Sequence, residues 1–246
     1  WPHQLVHALR KRDAPVASPQ VIAQTGWTTD ELLAHRATGD VPVHASDADE
    51  LAMVQFSSGS TGNPKGVQIT HQNILSQVFG MAEHGGATSR DVFVSWMPLY
   101  HDMGLFGYHM LPILLGAKQV LMNPFLFIRK PLTWLEKLSE HKGSITAAPN
   151  FGLSRVLQAL RAGSLDNLDL SSVRCILNGS EPINVDIMNN FTQALQPAGL
   201  PRSAMSPGYV LAEATLAVTM LTRARLFCQG RRGCGGRIGG RVEILP

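Results

Sequence analysis

With 246 residues, 44% of them hydrophobic and 16% charged, the chain can bury a sizeable core, which excludes a disordered linker. Its net charge of +3 is unevenly spread: six arginines and one acid (Glu243) lie from Leu221 onward, leaving the first 220 residues at −2 with no basic face for nucleic acid or membrane. Three cysteines (Cys175, Cys228, Cys234) are too few for a disulfide framework or a zinc site, and no apolar run reaches membrane-spanning length.

In chain order, the start at Trp1 lacks the basic-then-apolar layout of a secretory signal, so a soluble cytoplasmic protein is expected. Residues 1–50 mix short helical stretches with Pro, Thr and Asp and read as a partial leading segment without a catalytic pattern. LAMVQF (Leu51–Phe56) reads as a buried strand running into a loop. A short extended VQIT follows the loop, then a helix from His71 that Thr70 is placed to cap. DVFVSW predicts a strand, and LFGYHMLPILLG a buried helix kinked by Pro112. KQVLM predicts a strand and PLTWLEKLSEH an amphipathic helix with proline at its start. SITAAP and VRCILNG read as strands, NFGLSRVLQAL and NVDIMNNFTQAL as helices. Strands alternating with helices of about ten residues predict an α/β fold of largely parallel sheets flanked by helices. Residues 51–220 would be its core, and 221–246 a Gly/Arg-rich tail with little periodicity.

Between the first strand and VQIT lies Ser57-Ser58-Gly59-Ser60-Thr61-Gly62-Asn63-Pro64-Lys65-Gly66. Its glycines let the backbone turn several N–H groups toward one point, four hydroxyls add donors, and Lys65 adds positive charge. A polyphosphate matches that donor set. The loop lacks the Gly-Lys-Ser/Thr ending of a P-loop, and a flexible Ser/Gly linker would not explain its Pro-Lys-Gly close. This stretch resembles the phosphate loop of the adenylate-forming superfamily, which includes acyl-CoA synthetases, peptide-synthetase adenylation domains and luciferases. The resemblance implies that Ser57, Ser58, Gly59, Ser60, Thr61, Gly62 and Lys65 hold the phosphates of ATP, and that the core belongs to the large N-terminal domain of such an enzyme.

Three further stretches agree in order and spacing. Trp96-Met97-Pro98-Leu99-Tyr100-His101-Asp102-Met103-Gly104 follows a strand, where open α/β sheets place ligands. An adjacent His and Asp is, taken alone, more often a structural hydrogen-bonded pair than a catalytic one. The run is similar to the corresponding segment of fatty-acyl-AMP ligases, which implies that His101 closes over the acyl carboxylate and the thiol channel. Asn178-Gly179-Ser180-Glu181-Pro182 is a small-residue turn after a strand, with Pro182 placed to start the next helix; by itself it is equally a plain connection. It resembles the family's Asn-Gly-Ala-Glu-Pro, which lines the adenine pocket. Tyr209-Val210-Leu211-Ala212-Glu213-Ala214-Thr215 resembles Tyr-Gly-Leu-Ala-Glu-Ala-Thr, implying Tyr209 stacked on adenine, Glu213 on Mg2+ and Thr215 at the nucleotide. Mg2+ is a hard cation that favours carboxylate and phosphate oxygens. Here Gly208 precedes and Val210 follows the tyrosine, reversing the family's order, and a β-branched valine does not readily take a positive φ.

The lipid-directed branch is suggested by Pro124-Phe125-Leu126-Phe127-Ile128-Arg129-Lys130-Pro131 and Ala148-Pro149-Asn150-Phe151-Gly152, which look like the fatty-acyl-AMP ligases and the acyl-ligase modules that start lipopeptide synthesis; a close long-chain acyl-CoA synthetase relative is the neighbouring reading. The implied activity is ATP-dependent activation of a fatty acid to acyl-adenylate, for transfer to a pantetheine thiol on acyl carrier protein or coenzyme A. Lys65, His101 and Glu213 are the implied catalytic residues. Nothing after Glu213 matches the family's ribose-binding aspartate or its lysine-bearing C-terminal domain, so an incomplete copy is expected. A non-catalytic nucleotide-binding remnant and an amino-acid-activating domain are the alternative readings. RNA binding through the Arg/Gly tail is a weaker one, because Phe227 is its sole aromatic.

Overall fold

The computed structural model describes residues 45–57, 65–161, 165–221 and 226–228. The chain divides into two units, residues 1–47 with 57–65, and residues 48–56 with 66–246. Of the first, 45–47, Ser57 and Lys65 are among the described residues. Everything below concerns the second unless stated.

Strands β1 (Leu51–Ser57) and β2 (Lys65–Thr70) pair in a sheet of their own. β1 was expected to be buried, yet Leu51 and Val54 are exposed. A short apolar run cannot by itself distinguish a core strand from one in a two-stranded sheet with an open face. Helix α1 (His71–Gly85) begins where expected: Thr70 accepts from the Asn73 N–H, and Asn73 returns the bond to the Thr70 N–H. It ends at Gly86 with φ 59°, which glycine adopts without a Cβ penalty.

The seven-stranded sheet has the order β4-β3-β5-β6-β7-β8-β9. β3 (Val92–Ser95), β4 (Lys118–Leu121), β5 (Ile145–Ala147), β6 (Cys175–Asn178) and β7 (Met205–Val210) are mutually parallel. The α/β expectation holds for these strands. β8 (Ala217–Leu221) and β9 (Leu226–Cys228) then run antiparallel, so residues 226–228 of the Gly/Arg-rich tail form a sheet edge.

Between β3 and β4 the helix is wider than expected: Met103–Met110 is π-helical, with the Leu111 N–H reaching back to Phe106. It narrows to α2 (Leu111–Leu115) at the expected proline, because Pro112 has no N–H to continue the ladder. α3 (Pro124–Arg129) was not predicted as a helix; Asn123 caps it, accepting from the Phe125 N–H at 2.8 Å. α4 (Leu132–Glu140), α5 (Asn150–Ala159) and α6 (Val185–Leu195) complete the set. Among the described residues no helix is long and apolar enough to cross a membrane.

Thr146 on β5 ties the buried layers together. Its hydroxyl donates to the Val94 carbonyl at 2.6 Å and accepts from Trp134 Nε1 at 3.0 Å, while its carbonyl accepts from Tyr108 at 2.7 Å. These buried polar atoms are therefore partnered. Around them Trp96 stacks on Phe127 with centroids 3.8 Å apart, and Trp134 and Phe151 meet Trp96 edge-on.

Candidate functional site

Parallel strands present their C-terminal ends on one side of a sheet, where loops to the following helices gather. The ends of β5, β6 and β7 carry the sequence motifs here. β6 ends at Asn178 and the chain turns through Gly179 and Ser180, the latter at φ 69°. A Cβ on Gly179 would lie 2.7 Å from the Gly208 carbonyl oxygen, and one on Gly208 would lie 2.8 Å from Leu177 Cδ1. The β6 turn meets the β7 backbone closely because neither position has a side chain. Asn178 is fully buried and donates through Nδ2 to the Ala148 carbonyl at 2.9 Å.

Beside these turns opens a cleft of about 630 Å³. It is lined by Ser180, Glu181, Pro182 and Ile183 from the β6 turn, by Pro207 to Val210 from β7, and by Thr219 and Leu221 from β8. Its size lies in the ordinary range for small-molecule sites. Tyr209 is 60% exposed and borders the cleft. The structure thus brings Ser180, Glu181 and Tyr209 to one cleft, whereas Asn178 and Gly179, which precede Ser180 in the chain, are not among its lining residues. Pro182 does not start a helix as expected: Asn184 caps α6 by accepting from the Ile187 N–H, and Pro182 stays in the cleft wall. Val210 ends β7 without a positive φ, and a register shift at Tyr209/Val210 absorbs the altered order.

Past β7 a single 3-10 turn, Ala212–Ala214, carries Glu213, which is half-buried. Thr215 follows at φ 71°, ψ −48° and is buried. A β-branched residue in that region is strained, and such strain collects at functional sites.

The His101 segment joins the same end of the sheet. His101 Nδ1 lies 2.7 Å from Asp102 Oδ1, and the Met103 N–H donates to that oxygen at 2.6 Å. That N–H also lies 3.3 Å from Nδ1, but the carboxylate is nearer and the stronger acceptor. Nδ1–H therefore donates to Asp102, leaving Nε2 as the second functional nitrogen. The Asp102 hydrogen bond raises the His101 pKa above its ordinary 6.5 against the opposing effect of burial. The π-helical segment connects three motifs: Met103 Cε lies 3.7 Å from a Cβ position on Gly179, and Leu216 Cδ2 lies 3.1 Å from one on Gly107.

Ser57 ends β1 and Lys65 opens β2, whereas Ser58, Gly59, Ser60, Thr61 and Gly62 lie outside the described residues. His101, Glu213 and Thr215 are not among the residues lining the cleft. Sequence reading missed Ile183 on the β6 turn and Pro207 on β7, and also Thr219 and Leu221, which reach the cleft through the antiparallel β7–β8 pairing. It also missed how Glu181 is used: its carboxylate accepts from the Phe151 N–H at 3.0 Å, tying the β6 turn to α5.

Residues 2–244 match the profile of the AMP-binding enzyme family. This chain belongs to that family. The match extends beyond the stretch 51–220 on which the resemblance was recognised. Among AMP-binding relatives, the chain is 42% identical over 182 residues to the long-chain-fatty-acid AMP ligase FadD32 of Mycobacterium marinum, covering 70% of this chain and 28% of that protein. It is 38% identical over 173 residues to the medium-chain-fatty-acid acyl-carrier-protein ligase JamA of Moorena producens, covering 70% and 29%. A solved fatty acyl-adenylate ligase from L. pneumophila, in complex with acyl adenylate and pyrophosphate, is similar with a TM-score of 0.70 and 36% identity, covering 73% of this chain and 32% of that one. The chain spans about a third of the length of the curated relatives it matches.

Proposed function

We propose that this chain carries the nucleotide-binding part of a fatty-acid-activating ligase, which joins a fatty acid to AMP using ATP and passes the acyl group to a carrier-protein or coenzyme A thiol. The observation that carries the reading is the cleft at the ends of β6 and β7, where the exposed Tyr209 and the Ser180–Glu181 turn border one space. A flat ring against exposed aromatic carbon and small-residue backbone is the chemistry adenine needs. Residues 51–220 would form the AMP-binding core, in a cytoplasmic protein without a role in nucleic-acid binding.

The reaction forms a bond between the fatty carboxylate oxygen and the α-phosphorus of ATP, and pyrophosphate leaves. The protein's part is positioning and neutralisation of charge on the phosphoryl oxygens. In this reading Ser57 to Gly62 and Lys65 grip the β- and γ-phosphates, as the loop's donors suit. Asn178, Gly179, Ser180, Glu181 and Tyr209 frame the base, and Thr215 lies toward the phosphates. His101, held by Asp102 with Nε2 available, faces the acyl carboxylate. Among the described residues no three His, Cys, Asp or Glu side chains cluster into a self-contained metal site. Mg2+ held by Glu213 would therefore take its other ligands from phosphate and water, as this ion commonly does. Bound there, Mg2+ supplies charge neutralisation at the phosphates.

Calorimetric titration with a non-hydrolysable acyl-sulfamoyl adenosine tests the reading. Saturable one-to-one binding is expected, weakened about five- to 150-fold by Tyr209→Ala, the range that base–aromatic stacking spans. Binding indifferent to Tyr209→Ala would overturn it. ATP–pyrophosphate exchange with fatty and amino acids then separates an active ligase, a silent remnant and an amino-acid-activating domain.

A further inference from the structure

Ser180 to Ile183 form one wall of the cleft and are all exposed, so little packing holds them in place. What holds them comes from behind, from the first turn of α5. Asn150 is buried at the start of that helix, and both ends of its amide are used. Nδ2 donates to the Pro182 carbonyl at 2.7 Å, and Oδ1 accepts from the Asn184 N–H at 3.3 Å. The next residue adds a bond from the Phe151 N–H to Glu181 Oε1. One side chain therefore fixes the backbone on both sides of Ile183, and Asn184, so anchored, caps α6.

From this geometry we infer that Asn150 is a positioning residue of the nucleotide cleft, holding the Ser180–Ile183 wall in the shape that accepts the base. The inference rests on the nucleotide reading given above. The residue type is dictated by the contact. An amide offers a donor and an acceptor on one planar group, and the two backbone partners are a carbonyl and an N–H. A carboxylate of the same shape would keep the Asn184 bond but set an oxygen against the Pro182 carbonyl. Alanine would leave both backbone groups without a protein partner. Asn150 touches no ligand in this scheme; it acts through the wall.

Three variants of the chain test it: Asn150→Asp, Asn150→Ala, and Val156→Ala as a control. Val156 is fully buried on α5, so its truncation destabilises the same helix without touching the wall. Hydrogen exchange is read over residues 179–187, and affinity for the acyl-sulfamoyl adenosine by titration. Both Asn150 variants should speed exchange at Glu181, Ile183 and Asn184 and raise Kd at least about tenfold, Asn150→Asp no less than Asn150→Ala. Val156→Ala should lower the unfolding midpoint while leaving Kd within about twofold. Exchange unchanged at Asn184, or Val156→Ala weakening affinity as much as Asn150→Asp, would overturn the inference. Faster exchange in the variants of a chain that binds no adenosine ligand would instead overturn the nucleotide reading, and with it the cleft role of Asn150.

Discussion

Arg174 meets Asp91 side-on across 83 residues of sequence, with Nε 2.8 Å from Oδ1 and Nη2 2.8 Å from Oδ2. The same guanidinium donates to the Gly85 and Gly86 carbonyls at 2.9 and 3.0 Å. It therefore ties the end of α1, the entry to β3 and the entry to β6 into one knot below the cleft. Asp91 also accepts from the Thr88 N–H and the Ser144 hydroxyl, each at 2.8 Å. Arg174→Ala would leave the buried Asp91 carboxylate without its counter-charge, though still bonded to Thr88 and Ser144, and would remove a donor from two carbonyls. Because the Arg174 side chain is 35% exposed, water recovers part of that loss. A destabilisation of about 2–3 kcal/mol in urea unfolding is expected, below the range for fully buried pairs. Arg174→Lys should recover little of it, since lysine lacks the planar fork.

The knot also sets an acid limit. Burial pushes the Asp91 carboxyl up, but hydrogen bonds from Arg174, Thr88 and Ser144 outweigh it and hold the group below its ordinary 3.8. A carboxyl depressed in the folded state stabilises the fold above its unfolded pKa, and that contribution fades as pH falls through the folded value. Stability measured between pH 6 and 2.5 should fall below about pH 4. Asp91→Asn should be less stable at pH 6 and show a shallower acid slope.

His101 should titrate above 6.5 by NMR, since the Asp102 hydrogen bond favours the imidazolium more than burial disfavours it. A group raised in the folded state contributes stability that is full below its unfolded pKa and is lost as pH rises through the folded one. Asp102→Asn should move the His101 midpoint down. A midpoint unmoved by that change would mean that the 2.7 Å contact does not exist in solution.

Gly104 is fixed by the turn that presents His101. A Cβ there would lie 2.2 Å from the Pro98 carbonyl oxygen, a collision with backbone that no side-chain rotation relieves. Gly104→Ala should cost at least about 3 kcal/mol in unfolding experiments, at the upper end of overpacking effects. A near-neutral effect would show that the Pro98–Gly104 turn differs from the one described.

Local chemistry made much of this fold legible. Thr70 announced the start of α1, Pro131 preceded α4, and the strand–helix alternation gave the parallel sheet. Contacts between distant residues left no such trace. The Asp91–Arg174 pair and the Asn150 clamp each join segments tens of residues apart. Leu51–Phe56 has the apolar content of a core strand, and its pairing with β2 alone decides that it is half open. In the candidate site, Ser180 and Tyr209 were reached through the resemblance of their motifs to those of the family. Thr219 and Leu221 were not, because they reach the cleft through an antiparallel strand that a parallel pattern does not suggest.

Photolabelling with 8-azido-ATP, followed by peptide mapping, most directly tests the placement of the base. The azide sits on the purine ring, so it marks whatever borders that ring. Label on Tyr209 or within residues 180–183, competed away by ATP, is the expected result. Competable label that falls elsewhere and spares both segments would contradict the assignment of this cleft to the nucleotide.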